Sequence, residues 1–209
     1  MTFEEATREA ALVAQKAVTK ATERLRRRRR IDEDDPTGVL VGQLDAAFDG
    51  DVGGLKWDCT ILRHRRKGSR GKEDWGGSSD PRRDGYSHAT YSKGVLVQAN
   101  KVGPRRNMTP REQSTVIGQC EKMLAITPAA FVMDYGDGNA RCGTASRIAG
   151  ATSYDLYKLC GWTSYRFFLE FFRSPIGDPR ITSALVDEIR AAGGLLDEGS
   201  SPFPFRPLI

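Results

Sequence analysis

One strand candidate dominates this sequence: Lys93-Gly94-Val95-Leu96-Val97-Gln98-Ala99-Asn100-Lys101-Val102. Its apolar run, Val95 to Val97, follows a glycine and is rich in β-branched residues, which predicts a strand buried on both faces. Because side chains alternate along a strand, we expect Gln98 and Asn100 on one face and Lys101 on the other. A polar cluster at the exit of a buried strand indicates either a chemical site or the place where the strand reaches water.

The segment from Ser92 to Ala99 resembles the "KG-apolar-apolar-apolar-Q-A-K" strand of the PD-(D/E)xK, or restriction-endonuclease-like, nuclease superfamily. The resemblance covers roughly residues 38–181, including Gln119–Leu124 and Thr127–Val132. It implies an α/β fold in which helices flank a mixed central sheet. The sequence departs from the family pattern at one position, because the family's lysine falls where this chain has Asn100.

The resemblance also implies a Mg²⁺ or Mn²⁺ site, built from an Asp that precedes the strand and a Glu or Gln on it. The predicted metal ligands are Asp80 and Gln98, with Asp84 as the alternative to Asp80 and a backbone carbonyl at residue 99 as a further oxygen. Lys101 is the predicted catalytic lysine, on condition that a β-bulge turns its side chain inward. A polar loop over residues 71–85 whose acids are incidental is the competing interpretation.

The activity implied by the resemblance is that of a Mg²⁺-dependent DNA endonuclease of restriction type, with anti-phage defence as its context. The alternative is a catalytically degenerate nuclease fold that binds nucleic acid or a protein partner, because Asn100 lacks the charge of a lysine and Gln98 that of a glutamate. A third hypothesis is a structural protein that assembles with a partner through its N-terminal helix.

The composition fits one hydrophobic core, since the chain has 209 residues of which 39% are hydrophobic. No apolar run is long enough to span a membrane and no secretory signal opens the chain, so we expect a cytoplasmic protein without a membrane partner. The net charge of +5 suits a polyanion such as DNA. Four widely spaced cysteines are expected to be reduced and mostly buried. No sequence motif indicates an organic cofactor.

Three segments are predicted: an N-terminal helical arm over 1–35, a nuclease-like α/β domain over 36–198 and a proline-rich tail over 199–209. The helix of the arm, from Thr2 to about Arg29, has a capping box and an alanine-rich stripe. Its arginines at 26–30 suit phosphate contacts, although the acidic residues at 32–35 would neutralise them. Those acids are candidates either for a metal site or for a helix cap.

The remaining elements follow from periodicity and from capping residues. Thr109 and Glu112 predict the start of a helix with Gln119 on its solvent-facing side, and Asp134 is either a ligand or a turn residue. Helices are predicted over 37–48, 162–172 and 181–191, strands over 55–62, 86–90, 129–135 and 141–148, and a loop over 71–85.

Overall fold

The computed structural model describes residues 1–27, 36–49, 52–55, 58–63, 73–79, 93–136, 140–173, 175–182, 184–185 and 188. These residues form six helices and one sheet of six strands. The helices are α1 (Phe3–Arg27), α2 (Pro36–Ala47), α3 (Pro110–Ile126), α4 (Ala145–Ala149), α5 (Leu156–Leu159) and α6 (Ser164–Arg173). The strands are β1 (Asp58–Arg63), β2 (Glu73–Ser79), β3 (Lys93–Asn100), β4 (Ala130–Asp134), β5 (Arg141–Thr144) and β6 (Trp162–Thr163).

The strands lie side by side in sequence order. β2 is antiparallel to both of its neighbours, β1 and β3, whereas β3 and β4 are parallel. β5 is antiparallel to β4, and β6 is antiparallel to β5. A parallel pair needs a crossover connection, and α3 supplies it between β3 and β4. The fold is therefore a mixed α/β sheet, as the sequence predicted at that level.

The prediction of a loop over residues 71–85 is wrong for Glu73–Ser79, which form the strand β2 between β1 and β3. Glycine and serine are depleted in strands, and this segment contains two of each. Hydrogen-bonded neighbours on both sides override that local preference, so that Gly76 pairs with Leu96 and Gly77 with Val95. Asp80, Asp84 and the predicted strand at 86–90 lie outside the described residues.

The sheet lies between two helical layers, each of which has its own hydrophobic core. The side chains of Val95 and Val97 join the core formed with α1, α2 and α6, whereas Leu96 joins the core formed with α3, α4 and α5. All three residues are at most 1% exposed, so the prediction of a strand buried on both faces is confirmed.

Helix α1 begins with the predicted capping box, in which the backbone N–H groups of Thr2 and Glu5 each donate to the other's side chain. Its apolar stripe packs against α2 and α6 and is buried, with these members: Ala6, Ala10, Ala11, Ala14, Ala17, Val18 and Ala21. The stripe is therefore covered by the protein's own helices and is not exposed for a partner, whereas assembly through the N-terminal helix stays a prediction. Residues 28–35 and the tail lie outside the described residues.

The remaining elements confirm some predictions and correct others. α3 has the predicted capping box between Thr109 and Glu112. The helix predicted over 162–172 is confirmed as α6 from Ser164 onward, whereas its start is wrong, because Trp162 and Thr163 pair with β5 as the strand β6. The strand predicted over 141–148 is too long, because β5 ends at Thr144, whose hydroxyl accepts a hydrogen bond from Arg147 N and caps α4. The helix predicted over 181–191 lies mostly outside the described residues.

Among the described residues, none of the helices is long and apolar enough to cross a membrane. Cys120, Cys142 and Cys160 are buried, as the sequence predicted.

Candidate functional site

Gln98 and Asn100 end β3 on the face that α3 covers. Gln98 is completely buried and Asn100 is 8% exposed. The Gln98 Nε2 donates a hydrogen bond to Oε1 of Gln119, which lies on α3. The prediction that Gln119 faces solvent is therefore wrong, because this side chain is half-buried and contacts the strand.

Two polar atoms of this cluster have no hydrogen-bond partner among the described residues. They are the oxygen Oε1 of Gln98 and the nitrogen Nδ2 of Asn100. An unpaired buried polar atom costs about 1–3 kcal/mol, so each one calls for an explanation. One acceptor and one donor, two residues apart on the same face of a strand, fit a polar ligand or water at the end of β3.

The register of the β2–β3 ladder determines which acidic residue of β2 accompanies this cluster. Asp74 is the cross-strand partner of Gln98, whereas Ser79 pairs with Lys93, five positions earlier in β3. Directly opposed residues of an antiparallel pair have neighbouring Cβ atoms. Of the acidic positions in β2, Asp74 is therefore the one directly opposite the polar end of β3.

Lys101 lies outside the cluster. Its inward placement required a β-bulge, but the pairing of β3 with β4 is continuous from Leu96 through Asn100. The side chain of Lys101 follows the end of the strand and is exposed. Asn100, at the position where the resemblance implies lysine, is instead the buried residue, with 8% of its surface exposed.

Asp134 is the register partner of Asn100 on β4, and its side chain is completely buried. Its carboxylate accepts hydrogen bonds from the backbone N–H groups of Val102 (2.8 Å), Gly103 (2.9 Å) and Gly136 (3.2 Å). Burial raises the pKa of Asp134, and the three backbone donors oppose that rise. Asp134 therefore fixes the connection after β3, and each of its carboxylate oxygens accepts a hydrogen bond from the backbone.

The described residues fit a metal ion in part. The unpaired Oε1 of Gln98 is an oxygen donor of the type that Mg²⁺ prefers. However, no cluster of three or more His, Cys, Asp or Glu side chains occurs in the described part of the chain. Among the described residues, Asp74 is the acidic position that the ladder places directly opposite Gln98.

A buried lysine lies at the other end of β3. Lys93 is 1% exposed, its Nζ donates to the backbone oxygen of Ile176 at 2.8 Å, and it lies 4.8 Å from the ring centre of Phe171. Burial lowers the pKa of Lys93 to about 8. Lys93 therefore attaches the segment around Ile176 to the sheet and does not belong to the polar cluster.

Sequence reasoning did not single out Asp74 and Gln119, although each left a signal. Gln119 lies three residues after Val116 and four before Met123, which places it beside the buried stripe of α3. A hairpin between residues 73–79 and β3 would identify Asp74 as a site residue, because that pairing brings the start of β2 to the end of β3.

No family model, curated protein or solved structure matches this chain. The geometry at the end of β3 is consequently the basis for a functional assignment.

Proposed function

We propose that this protein is a metal-dependent nuclease acting on DNA, with Asp74 and Gln98 as the ligands of a Mg²⁺ or Mn²⁺ ion. The observation that carries the proposal is the pairing of Asp74 with Gln98 at the polar end of a buried strand. This amends the sequence-based assignment, which gave the acidic position to Asp80. The resemblance implies the same combination, an acid from the preceding segment beside a Glu or Gln on this strand.

The residues of the cluster have distinct proposed roles. Gln119 accepts a hydrogen bond from Nε2 of Gln98, so the amide is oriented and its Oε1 is left available to a cation. The Nδ2 of Asn100 is available to donate to a phosphate oxygen or to the attacking water. A bound divalent ion would polarise the phosphate and lower the pKa of its bound water.

DNA is the proposed substrate because the chain carries a net charge of +5. A positively charged protein attracts the phosphate backbone and releases the counterions condensed on it. Restriction-type cleavage and a place in anti-phage defence are part of the proposal only through the resemblance of β3 to that nuclease superfamily.

The second candidate function is a nuclease-like subunit that binds nucleic acid without cutting it. Its support is the neutral Asn100 where the resemblance implies lysine, together with the exposed position of Lys101. Loss of one positive charge beside the scissile phosphate would remove electrostatic stabilisation that nucleases need.

Cleavage assays separate these functions. We would incubate supercoiled plasmid, linear duplex and single-stranded DNA with Mg²⁺ or Mn²⁺ and the wild type, Asp74→Asn or Asp80→Asn. Metal-dependent cutting that Asp74→Asn abolishes and Asp80→Asn retains supports the nuclease with the proposed ligand. Loss of cutting in Asp80→Asn alone shows that Asp80, and not Asp74, supplies the ligand. Salt-sensitive binding without cutting supports the second function, and neither binding nor cutting contradicts both.

A further inference from the structure

We infer that residues 101–111, together with Tyr154, form a surface that binds single-stranded nucleic acid next to the polar cluster. This inference rests on the proposed function, because it names the form of nucleic acid that reaches the same site. The basic loop is the connection between β3 and α3 and comprises residues 101–109.

The positive charge of this surface comes from four exposed side chains, those of Lys101, Arg105, Arg106 and Arg111. Arg106 forms a salt bridge of 2.8 Å with Glu112, so the charge variants used below are those of Lys101 and Arg111. Exposed Lys and Arg side chains that follow one connection suit successive phosphates of a nucleic acid backbone.

The basic loop is held in place at both ends. At its start, Asp134 accepts hydrogen bonds from Val102 and Gly103, and Gly136 packs so closely on Gly103 that a Cβ at Gly136 would overlap it. At its end, the side chains of Thr109 and Glu112 form the capping box of α3. A loop fixed in this way loses little conformational entropy when it binds a ligand.

An exposed aromatic residue is hydrogen-bonded to this loop through its backbone. Tyr154 is 40% exposed, and its backbone oxygen accepts a hydrogen bond of 2.8 Å from Met108 N, midway between Arg105 and Arg111. A second contact, from Gln113 Nε2 to the backbone oxygen of Ser153, attaches the same segment to α3. Two independent hydrogen bonds therefore hold the backbone of Ser153 and Tyr154 against the basic loop and the start of α3.

Cations beside an exposed aromatic ring are typical of single-strand binding, because unpaired bases can stack on the ring while phosphates contact the cations. In a duplex the faces of the bases are covered by their neighbours, so the ring has nothing to stack on. The surface also adjoins the site directly, since Lys101 follows Asn100 in the chain. A strand bound along the basic loop is thereby brought to the end of β3.

The test is fluorescence-anisotropy binding of a labelled oligothymidine of about 16 nucleotides, in EDTA so that no cleavage occurs. Tyr154→Ala is expected to weaken binding between about 5-fold and about 150-fold, and Tyr154→Trp to preserve it. Lys101→Gln and Arg111→Gln are each expected to reduce the slope of log K against log salt by about 0.7. Duplex DNA of the same length is expected to bind more weakly and without dependence on Tyr154.

The matched controls are Leu12→Ala and Lys20→Gln, which change exposed residues of α1 in the opposite helical layer and are expected to have no effect. The proposal is overturned if Tyr154→Ala binds as tightly as the wild type, if duplex binds as tightly as single strand, or if the salt slope is unchanged in both charge variants. Binding of this kind without metal-dependent cleavage supports the surface and contradicts only the nuclease. Cleavage that needs Asp74 but is unaffected by the surface variants supports the nuclease and contradicts only the surface.

Discussion

Asp74 and Gln98 are directly opposite one another in the β2–β3 ladder, whereas Ser79, at the end of β2, is opposite Lys93. Five residues of an antiparallel strand cover about 17 Å, which is too far for one ion to join groups at both ends of the ladder. The register therefore favours an ion held by the start of β2 and the end of β3. The same register separates this site from the buried Lys93 at the other end of β3.

Replacing Asn100 by lysine is expected to increase metal-dependent cutting about 10-fold or more. The change puts a positive charge at the end of β3, where it can stabilise charge developing on the phosphate. The matched control is Asn107→Lys, which adds the same charge at an exposed position of the basic loop. Equal rates for the two variants would show that the gain comes from net charge, and no gain in either would contradict the placement of the phosphate at Asn100.

Asp134→Asn is expected to lower the free energy of unfolding by about 2–3 kcal/mol, because an amide cannot accept all of the backbone N–H groups that the carboxylate accepts. Urea-induced unfolding measures the change. Asp49→Asn, at an exposed position, serves as the control and is expected to change stability by less than about 0.5 kcal/mol. Equal stabilities for the two variants would show that Asp134 does not hold the loop.

Gly177→Ala is expected to destabilise the protein by at least about 2 kcal/mol. Gly177 has a φ of +115°, and a Cβ there would lie 2.6 Å from Cδ of Lys93. Gly118→Ala is the contrasting substitution, because nothing lies within 4 Å of its added Cβ and α3 gains a better helix former. We expect it to stabilise by about 0.5–1 kcal/mol in thermal or urea unfolding. A Gly177→Ala protein as stable as the wild type would contradict the close packing of Lys93.

The depressed pKa of Lys93, about 8, predicts a pH dependence of stability. Between about pH 8 and the ordinary lysine pKa near 10.4, the unfolded state holds one more proton than the folded state. This group alone therefore makes stability rise with pH in that window, by at most about 1.4 kcal/mol per pH unit, and contributes no slope below it.

Lys93→Met removes this contribution. The stability difference between wild type and Lys93→Met, measured by urea unfolding from pH 7 to pH 10, is expected to shift in favour of the wild type above pH 8. Taking the difference cancels the titration of cysteines and tyrosines that the two proteins share. A difference that is independent of pH would contradict the burial of a titrating lysine.

The strongest sequence signals predicted the elements that carry the fold. The apolar run Val95–Val97 predicted β3, the pair Thr109 and Glu112 predicted the start of α3, and the spacing of aromatic residues predicted α6. In each case the local signal and the tertiary environment agree. The polar end of β3 at Gln98 and Asn100 was also predicted, because these two side chains interrupt the apolar pattern of a buried strand.

The elements that the sequence did not predict depend on non-local pairing. The composition of β2 is that of a loop, and only its two neighbouring strands make it a strand. The register that brings Asp74 to Gln98 is a property of the ladder, which no local pattern in β2 encodes. The sequence predicts that Gln119 faces solvent, because glutamine is usually exposed. In the structure a polar partner on β3 makes its half-buried position favourable.

Binding of Mn²⁺ measured by electron paramagnetic resonance, in the absence of nucleic acid, tests the metal site independently of any cleavage. We would titrate the wild type, Asp74→Asn and Asp80→Asn. One bound ion is expected in the wild type, with affinity lowered at least about 10-fold in Asp74→Asn and unchanged in Asp80→Asn, since loss of a carboxylate ligand removes a charge from the site. Unchanged affinity in Asp74→Asn, or loss of binding only in Asp80→Asn, would contradict a metal site built on Asp74 and Gln98.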